Sequence, residues 1–382
     1  MNPHSPGRDP VADLRHIAFL LEAGAAPTPR VRAFRTAARV IEGLSPADLA
    51  TRAADGTLQD LAGIGPSTSR VVLESIAGEV PGYLAALERT AGEAFADRRS
   101  GERVDVPHAR AVLAALRGDC HSHTDWSDGG SPIVEMALAA RDLGRQYQAV
   151  TDHSPRLTVA NGLSAERLTR QLGELERYRD QVAPMRLLSG IEVDILLDGS
   201  LDQSDEMLGA VDVVVASVHS KLRMPSAELT PRMIGAVANP HTDVLGHCTG
   251  RLLTGRGRPE SDFDAELVFA ACAQFGVAVE INSRPERLDP PMRLLRKAVD
   301  AGCLFSIDTD AHAPGQLQWL IFGCERAARA GVPLERVVNT WPVEDLLAWT
   351  RRHSHRPAPL ESVAAGPDMA GRPGAEEVQD RG

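Results

Sequence analysis

The sequence contains nine histidine, aspartate and glutamate residues that are potential metal ligands, grouped in seven short runs. These residues are His121, His123, Asp128, His153, Glu192, His219, His247, Asp310 and His312. Imidazole and carboxylate groups suit zinc, iron and manganese, whereas a thiolate site would show pairs of cysteines. One four- or six-coordinate ion cannot use so many ligands. The count therefore predicts a site with two or three metal ions, and sites of this kind commonly hydrolyse phosphate esters.

Each run lies where a short apolar segment, typical of a buried strand, leads into a loop. Six such segments lie at residues 147–151, 186–189, 212–218, 243–246, 277–281 and 304–307. Apolar segments of helical length separate them, such as Ile133 to Gly144 and Glu266 to Phe275. This alternation predicts parallel strands joined by crossover helices. Counting the strand that ends at His121 and His123, we predict an α/β fold, a distorted seven-stranded (β/α)7 TIM-like barrel with all nine ligands at the C-terminal ends of its strands.

Seven motifs surround these potential ligands within residues 118–353. In chain order they read His-x-His, Ser-Asp-Gly, Thr-Asp-His-Ser, Gly-Ile-Glu, Ser-Val-His-Ser, Gly-His-x-Thr-Gly-Arg and Asp-Thr-Asp-Ala-His. Their order and spelling resemble the PHP (polymerase and histidinol phosphatase) domain family, in particular the PHP domain of bacterial family X DNA polymerases. The resemblance implies three divalent metal ions, which would be zinc, manganese or iron.

The same resemblance implies which residues would hold each ion, with Glu192 as a bridge. The first ion would be held by His121, His123, Glu192 and Asp310, the second by Glu192, His219 and His247, and the third by Asp128, His153 and His312.

A small all-α domain is predicted ahead of the barrel, at residues 11–92. Apolar residues at helical spacing predict helices over Ala12 to Ala23 and Pro29 to Glu42. The run from Leu58 to Val72 resembles a helix-hairpin-helix, in which a Gly-hydrophobic-Gly turn presents backbone N–H groups to a DNA phosphate. The whole segment resembles the N-terminal domain of the same polymerases. The predicted DNA-binding residues are Gly63, Gly65, Ser67 and Arg70.

The predicted organisation has five parts along the chain. Residues 1–10 are expected to be disordered, 11–92 to form the helical domain, 93–117 to be a linker, 118–353 to form the PHP barrel and 354–382 to be a disordered tail. In the polymerases a palm with paired catalytic carboxylates separates the two domains. The linker is too short to contain one, so nucleotidyl transfer is not predicted.

Composition limits the partners and the compartment. The net charge of −11, from 41 basic and 52 acidic residues, disfavours broad non-specific binding to nucleic acid. Five cysteines, without a Cys-x-x-Cys pair, indicate a reducing compartment. Because no apolar run is long enough to span a membrane and no signal peptide is recognisable, we expect a cytoplasmic protein without a membrane partner.

Phosphoester hydrolysis is the predicted chemistry, and the substrate class divides the hypotheses. Glu192 is the predicted catalytic bridge, while Arg251 and Lys221 are predicted to clamp a phosphate oxygen. The preferred hypothesis is an enzyme acting on DNA 3′ ends in repair, as a 3′–5′ exonuclease or a 3′-phosphoesterase. One alternative is a small-molecule phosphatase of the histidinol-phosphatase type. The other is a DNA-binding accessory module with little turnover.

Overall fold

The computed structural model describes residues 8–97 and 106–354. Its α-helices are α1 (Pro10–Ala23), α2 (Thr28–Glu42), α3 (Pro46–Asp55), α4 (Pro66–Ile76), α5 (Gly82–Asp97), α6 (Val106–Ala115), α7 (Ile133–Asp142), α8 (Ala165–Val182), α9 (Asp205–Gly209), α10 (Ser226–Ala238), α11 (Ala265–Phe275), α12 (Met292–Asp300), α13 (Leu320–Ala330) and α14 (Val343–Ser354). The helices from α7 onwards largely alternate with strands, as the sequence pattern predicts. Within these residues, no helix has the length and apolar character needed to cross a membrane.

Seven strands in the described part of the chain form one parallel sheet, in which each strand pairs with the next along the sequence. They are β1 (Gly118–Asp119), β2 (Tyr147–Val150), β3 (Arg186–Asp194), β4 (Val213–Ser217), β5 (Val244–Leu245), β6 (Ala278–Asn282) and β7 (Leu304–Asp308). Just beyond β1 and β7, a parallel bridge joins Ser122 to Ala311. The first and last strands therefore meet, and the sheet forms a nearly closed barrel. The predicted (β/α)7 fold is confirmed.

The barrel strands are buried on both faces, because helices cover the outside and side chains fill the inside. Every residue of β2, β4 and β6 is buried. Ile191 of β3, Val214 of β4 and Phe269 of α11 belong to the largest apolar cluster. Each such side chain contributes about 1.5–3 kcal/mol through burial. This packing fixes the strands and so positions the polar residues that follow them.

The helical domain has its own apolar core. Leu14 and Ile17 of α1 pack there with Phe34 and Ile41 of α2 and with Val72 of α4. The observed α1 and α2 begin one or two residues before the predicted helices and end at the predicted positions. The structure therefore contains the all-helical region that the sequence predicts.

The start of α1 differs from the expectation that residues 1–10 are disordered. Asp9 caps this helix by accepting a hydrogen bond from the backbone N–H of Val11 at 2.8 Å. Arg8 forms an ion pair with Asp13 at 2.6 Å. These contacts make residues 8–10 part of the helical domain, while residues 1–7 lie outside the described part of the chain.

The predicted linker 93–117 contains regular structure. Helix α6 lies within it, and the buried Val112 and Leu116 pack into the barrel core. Helix α5 also extends to Asp97. Helix α6 has only ten residues, four of which are alanine, so its sequence offers few large apolar side chains that would mark a buried helix face. The remainder of the linker, 98–105, and the predicted tail from residue 355 lie outside the described residues.

The helical domain docks directly on the barrel, where α1 meets the 3-10 helix Pro314–Trp319. Gly315 donates its backbone N–H to a Glu22 carboxylate oxygen at 2.9 Å, and the Trp319 indole N–H donates to the Ala23 carbonyl at 3.0 Å. A Cβ atom at Gly315 would lie 2.0 Å from the Phe19 carbonyl oxygen. Glycine is therefore required for the observed approach of α1 to the barrel.

An ion-pair network strengthens the same interface. The guanidinium of Arg35, on α2, lies 2.7 Å from Glu22 of α1 and 3.2 Å from Glu135 of the barrel helix α7. Arg35 and Glu22 are both buried, so removing Arg35 would leave the Glu22 carboxylate without a cation partner among the described residues. The two domains are thus connected by polar contacts as well as by packing.

Candidate metal centre

The nine predicted ligands meet at one mouth of the barrel. Seven of them follow a strand or lie within one, in the order His121 and His123 after β1, His153 after β2, Glu192 within β3, His219 after β4, His247 after β5 and Asp310 after β7. Asp128 lies in the loop between β1 and α7, and His312 follows Asp310 by two residues. Since parallel strands point the same way, their C-terminal ends gather these side chains at one place.

Glu192 lies at the middle of this cluster, and its carboxylate faces five imidazole rings. Its Oε1 lies 3.2 Å from Nε2 of His219 and 2.9 Å from Nε2 of His247. Its Oε2 lies 3.3 Å from Nε2 of His121, 3.4 Å from Nε2 of His123 and 2.9 Å from Nδ1 of His153. One carboxylate that faces ligands on both of its oxygens has the arrangement of a bridging ligand.

Three groups of side chains bring their ligand atoms within 4.8 Å of one another. The groups are His123, Asp128, His153 and His312; His121, His123 and Glu192; and His153, Glu192 and His219. His153 belongs to two groups, because its Nε2 lies 3.5 Å from Asp128 and its Nδ1 lies 2.9 Å from Glu192. The observed groups overlap more than the three sets implied by the family resemblance. They form one contiguous centre with shared ligands.

Asp310 connects the ligands to two arginines that the sequence analysis did not select. Its Oδ1 lies 3.4 Å from Nε2 of His123, and its Oδ2 lies 3.1 Å from Nε of Arg287. The Arg284 guanidinium lies 2.9 Å from Nδ1 of His312. Both arginines follow β6, the one strand to which the sequence analysis assigned no ligand. A basic residue shortly after a predicted strand was the sequence feature that could have identified both arginines.

Two further buried carboxylates hold the far nitrogens of ligand imidazoles. Oε1 of Glu280 lies 2.6 Å from Nδ1 of His121, and Oδ1 of Asp194 lies 3.0 Å from Nδ1 of His219. A carboxylate that accepts from Nδ1–H fixes the tautomer of the ring and leaves Nε2 available to bind a metal ion. Glu280 and Asp194 are strand residues that the sequence analysis passed over, although a charged residue in an apolar strand is an indication of such a role.

The environment shifts the pKa values of these groups in different directions. Burial acts to lower the pKa of His121, but the carboxylates of Glu192 and Glu280 raise this pKa well above its usual value. Burial lowers the pKa of His123 to about 3, and the nearby His312 and His153 act in the same direction. For Glu192 burial acts to raise the pKa, yet His219 and His121 hold it well below its usual range. An ionised Glu192 and a neutral His123 are the forms that bind metal ions.

Several buried ligand atoms in the centre have no hydrogen-bond partner among the residues that the structure describes. They include Nδ1 of His153, Nε2 of His219 and both carboxylate oxygens of Glu192. Buried polar atoms without partners are costly, so such a group calls for an explanation. Divalent cations would satisfy these atoms, and the nitrogen and oxygen donors suit zinc, manganese or iron. The residues present therefore fit a divalent metal centre.

The two predicted phosphate clamps have different surroundings. Arg251 donates through Nε to the carbonyl of Arg287 at 2.9 Å and through another nitrogen to the carbonyl of Leu288. Two of its guanidinium nitrogens are therefore bound to the loop that carries Arg287, and the direct phosphate clamp expected from the sequence stays a prediction. Lys221 is exposed just beyond His219, with a positive φ of 54°.

The predicted helix-hairpin-helix turn has the expected geometry in part. Gly63 has a φ of +94°, and α4 begins at Pro66. The N–H of Gly65 is already bound to Oγ1 of Thr68 at 3.0 Å, and that of Ile64 to the Leu61 carbonyl at 3.0 Å. Ser67 and Arg70, on the first turns of α4, are both exposed. Gly63 is exposed as well, whereas Gly65 is half-buried.

Comparisons with known proteins agree with this geometry. A family profile for the PHP domain matches residues 119–284. The DNA polymerase/3'-5' exonuclease PolX of Bacillus subtilis (strain 168) is 37% identical over 260 residues, which cover 67% of this chain and 45% of PolX. A protein of Acetivibrio thermocellus named "Probable phosphatase" is 31% identical over 247 residues, which cover 62% of this chain and 96% of that protein.

The solved structures that align with this chain include the crystal structure of histidinol phosphate phosphatase (HISK) from Lactococcus lactis subsp. lactis Il1403, complexed with zinc, L-histidinol and phosphate. It aligns with 56% of this chain and 94% of its own, at 18% sequence identity and a TM-score of 0.42.

The family profile and the relatives matched in sequence define the class of protein. The barrel, with its histidine and carboxylate centre, is that of a metal-dependent phosphoesterase. The chain belongs to the PHP domain family. It spans 45% of the length of PolX.

Proposed function

We infer that this protein hydrolyses phosphate esters at DNA 3′ ends, as a 3′–5′ exonuclease or a 3′-phosphoesterase, at a site that holds three divalent metal ions. The observation that supports a hydrolytic metal centre is the position of the Glu192 carboxylate, whose two oxygens face five imidazole rings. Three overlapping ligand groups around it support three ions.

The bound ions would supply a nucleophilic water at neutral pH and would neutralise charge on the phosphoryl oxygens. The protein orients the ligands and the phosphate. Asp194 and Glu280 fix two of the imidazoles. Arg287 is placed to bind a phosphate oxygen, because its buried NH1 atom has no hydrogen-bond partner within the described structure. Arg284 lies beside His312 and adds a second positive charge at the same edge.

DNA is the proposed substrate because the helical domain is docked at the mouth of the barrel. Helix α1 of this domain contacts the 3-10 helix Pro314–Trp319 of the barrel, which begins two residues after the predicted ligand His312. The similarity to PolX, which is named as a DNA polymerase and 3'-5' exonuclease, also supports this substrate.

A small phosphomonoester is the second candidate. The Acetivibrio relative named "Probable phosphatase" is matched over 96% of its length by 62% of this chain, which supports a phosphatase that needs only part of the chain. The helical domain would then act as a structural cap on the barrel mouth.

One experiment compares these candidates. Protein loaded with zinc, manganese or iron is offered a recessed DNA 3′ end, a 3′-phosphate end and a panel of phosphomonoesters, and metal content is measured by elemental analysis. We expect more than one ion per chain and the highest kcat/KM on a DNA end. A preference for a phosphomonoester would favour the second candidate. Metal binding without turnover of any substrate would favour the third hypothesis, a DNA-binding accessory module.

Glu192→Gln is the matched variant for this assay. A bridging carboxylate holds two ions at their working separation, so turnover should fall at least ~10²-fold and metal content should drop. Near-normal hydrolysis and metal content in this variant would refute the bridge.

A further inference from the structure

A cleft of about 430 Å³ opens beside the metal centre, between the helical domain and the barrel mouth. The ligands Asp128 and His312 lie in its wall on the barrel side, together with Arg284. Helix α2 forms the opposite wall, and it contributes Arg32 and Arg39 among other residues. The space next to the centre is thus enclosed by both domains.

The α2 wall carries a row of positive charge. Arg32, Arg35 and Arg39 are spaced three and four residues apart, so they lie on one face of the helix. Arg35 is buried and paired with Glu22 and Glu135. Arg32 and Arg39 are exposed, and the described residues offer neither of them an ion pair or a hydrogen bond. Their charges are available to a ligand.

This local charge contrasts with the chain as a whole, whose net charge is −11. In the cleft, Arg32 and Arg39 on one side and Arg284 on the other flank the approach to Asp128. The acidic Glu22 also lines the cleft, but Arg35 neutralises it. A ligand that reaches the centre by this route therefore passes the unpaired Arg32 and Arg39 on one side, which favours an extended anion. Arg284, on the other side, is already paired with Glu286 and Asp310.

The predicted hairpin reaches the same helix. A Cβ atom at Gly63 would lie 2.7 Å from Cγ2 of Thr36, so the hairpin turn packs on α2. Thr36 itself lines the cleft, between Arg32 and Arg39. Hairpin, helix and metal centre are consequently adjacent, and α2 connects the first to the last.

We propose that this cleft binds the single-stranded nucleic-acid end whose terminal phosphate lies at the metal centre. Arg32 and Arg39 contact backbone phosphates upstream of the scissile one, at positions about 10 Å apart along the helix axis. A positively charged groove that follows the backbone is the usual means of holding a single strand. The proposal rests on the proposed function, and it makes the helical domain part of the active site.

The test uses the full-length, metal-loaded protein and the double variant Arg32→Ala/Arg39→Ala. The matched control is Arg89→Ala/Arg170→Ala, which removes the same charge from exposed positions outside the cleft. Binding of a fluorescent single-stranded oligonucleotide is measured as a function of salt. The ratio of kcat/KM on the oligonucleotide to kcat/KM on p-nitrophenyl phosphate is measured in parallel.

We expect the cleft variant to bind the oligonucleotide about tenfold more weakly. The slope of log K against log salt should decrease by about 1.4, because two single-strand phosphate contacts are lost. The kcat/KM ratio should fall by a similar factor, while the control variant keeps the wild-type slope and ratio. Unchanged thermal unfolding and metal content show that both variants are folded.

Equal binding and equal ratios in the cleft and control variants would overturn the proposal. The failure of the proposed function has a different signature, because a wild-type protein that hydrolyses only the phosphomonoester would refute DNA-end hydrolysis. Binding does not require turnover, so the affinity and salt slope of the two variants still decide whether the cleft holds a strand in that case.

Discussion

Oε1 of Glu280 lies 2.6 Å from Nδ1 of His121, and its Oε2 accepts a hydrogen bond from the backbone N–H of His247. Glu280 is completely buried on β6. A single carboxylate therefore positions ligands from two other strands, β1 and β5. Its own strand supplies none of the nine predicted ligands, and its contribution to the centre is the orientation of those ligands.

Replacing Glu280 with glutamine should weaken the centre without removing a ligand. The neutral amide accepts the Nδ1–H bond more weakly, so the imidazole of His121 is less well oriented and less basic. We expect a loss of ~10–100-fold in metal affinity or activity. Metal titration and phosphoesterase rates measure this loss, and Glu266→Gln on the exposed face of α11 is the control. Wild-type metal affinity and rates in Glu280→Gln would show that its role is limited to packing.

The effect of Asp128→Asn should be confined to one part of the centre. Asp128 lies within 3.5 Å of His153 and 3.4 Å of His312, and its side chain is 36% exposed. Asparagine keeps the shape but is a weaker ligand, so we expect the loss of one ion per chain and of most activity, with little change in Tm. Elemental analysis and thermal unfolding test this, with the exposed Asp142→Asn as control. Unchanged metal content and rates would assign Asp128 to the turn formed by residues 127–130.

The sequence could predict which residues gather at the barrel mouth because most of the nine predicted ligands follow or lie within strands with a recognisable apolar pattern. Strand direction then places them together, with no need to know the packing. Asp310 and His312 illustrate this, since β7 alone brings them to the mouth of the barrel. The alternation of strands and helices also predicted the seven-stranded barrel.

The side chains that support the ligands were harder to predict. Glu280 and Asp194 lie on strands, and only the curvature of the closed barrel turns them towards His121 and His219. Arg251 stands in a family motif, yet the structure directs its guanidinium to the loop carbonyls of residues 287 and 288. Side-chain direction depends on tertiary packing, which sequence spacing does not contain.

The hairpin can be tested at Arg70, on the exposed side of α4. If α4 contacts DNA phosphates, Arg70→Ala should weaken binding and reduce the salt slope by about 1, with unchanged Tm. Gly63→Val is unsuitable for this purpose, because φ is +94° and the new side chain would meet Thr36. We expect that variant to lower Tm and disturb α2. Wild-type affinity and salt slope in Arg70→Ala would limit the hairpin to a structural role.

The docking of the two domains can be tested at Gly315. A Cβ atom there would lie 2.0 Å from the Phe19 carbonyl oxygen and 2.8 Å from the Ala23 backbone nitrogen. Neither backbone atom can move without displacing α1, so Gly315→Ala should destabilise the interface by about 1–3 kcal/mol. Denaturant unfolding measures this change, and limited proteolysis should show faster cleavage between the domains.

Gly173→Ala provides the control for this substitution. Gly173 lies in α8, and a Cβ atom there meets no other heavy atom within 4 Å. Alanine has the higher helix propensity, so this variant should be as stable as the wild type or more stable by up to about 1 kcal/mol. If the helical domain forms one wall of the substrate cleft, Gly315→Ala should also lower kcat/KM on an oligonucleotide more than on p-nitrophenyl phosphate. Wild-type stability, protease resistance and substrate ratio in Gly315→Ala would contradict a fixed docking of the two domains.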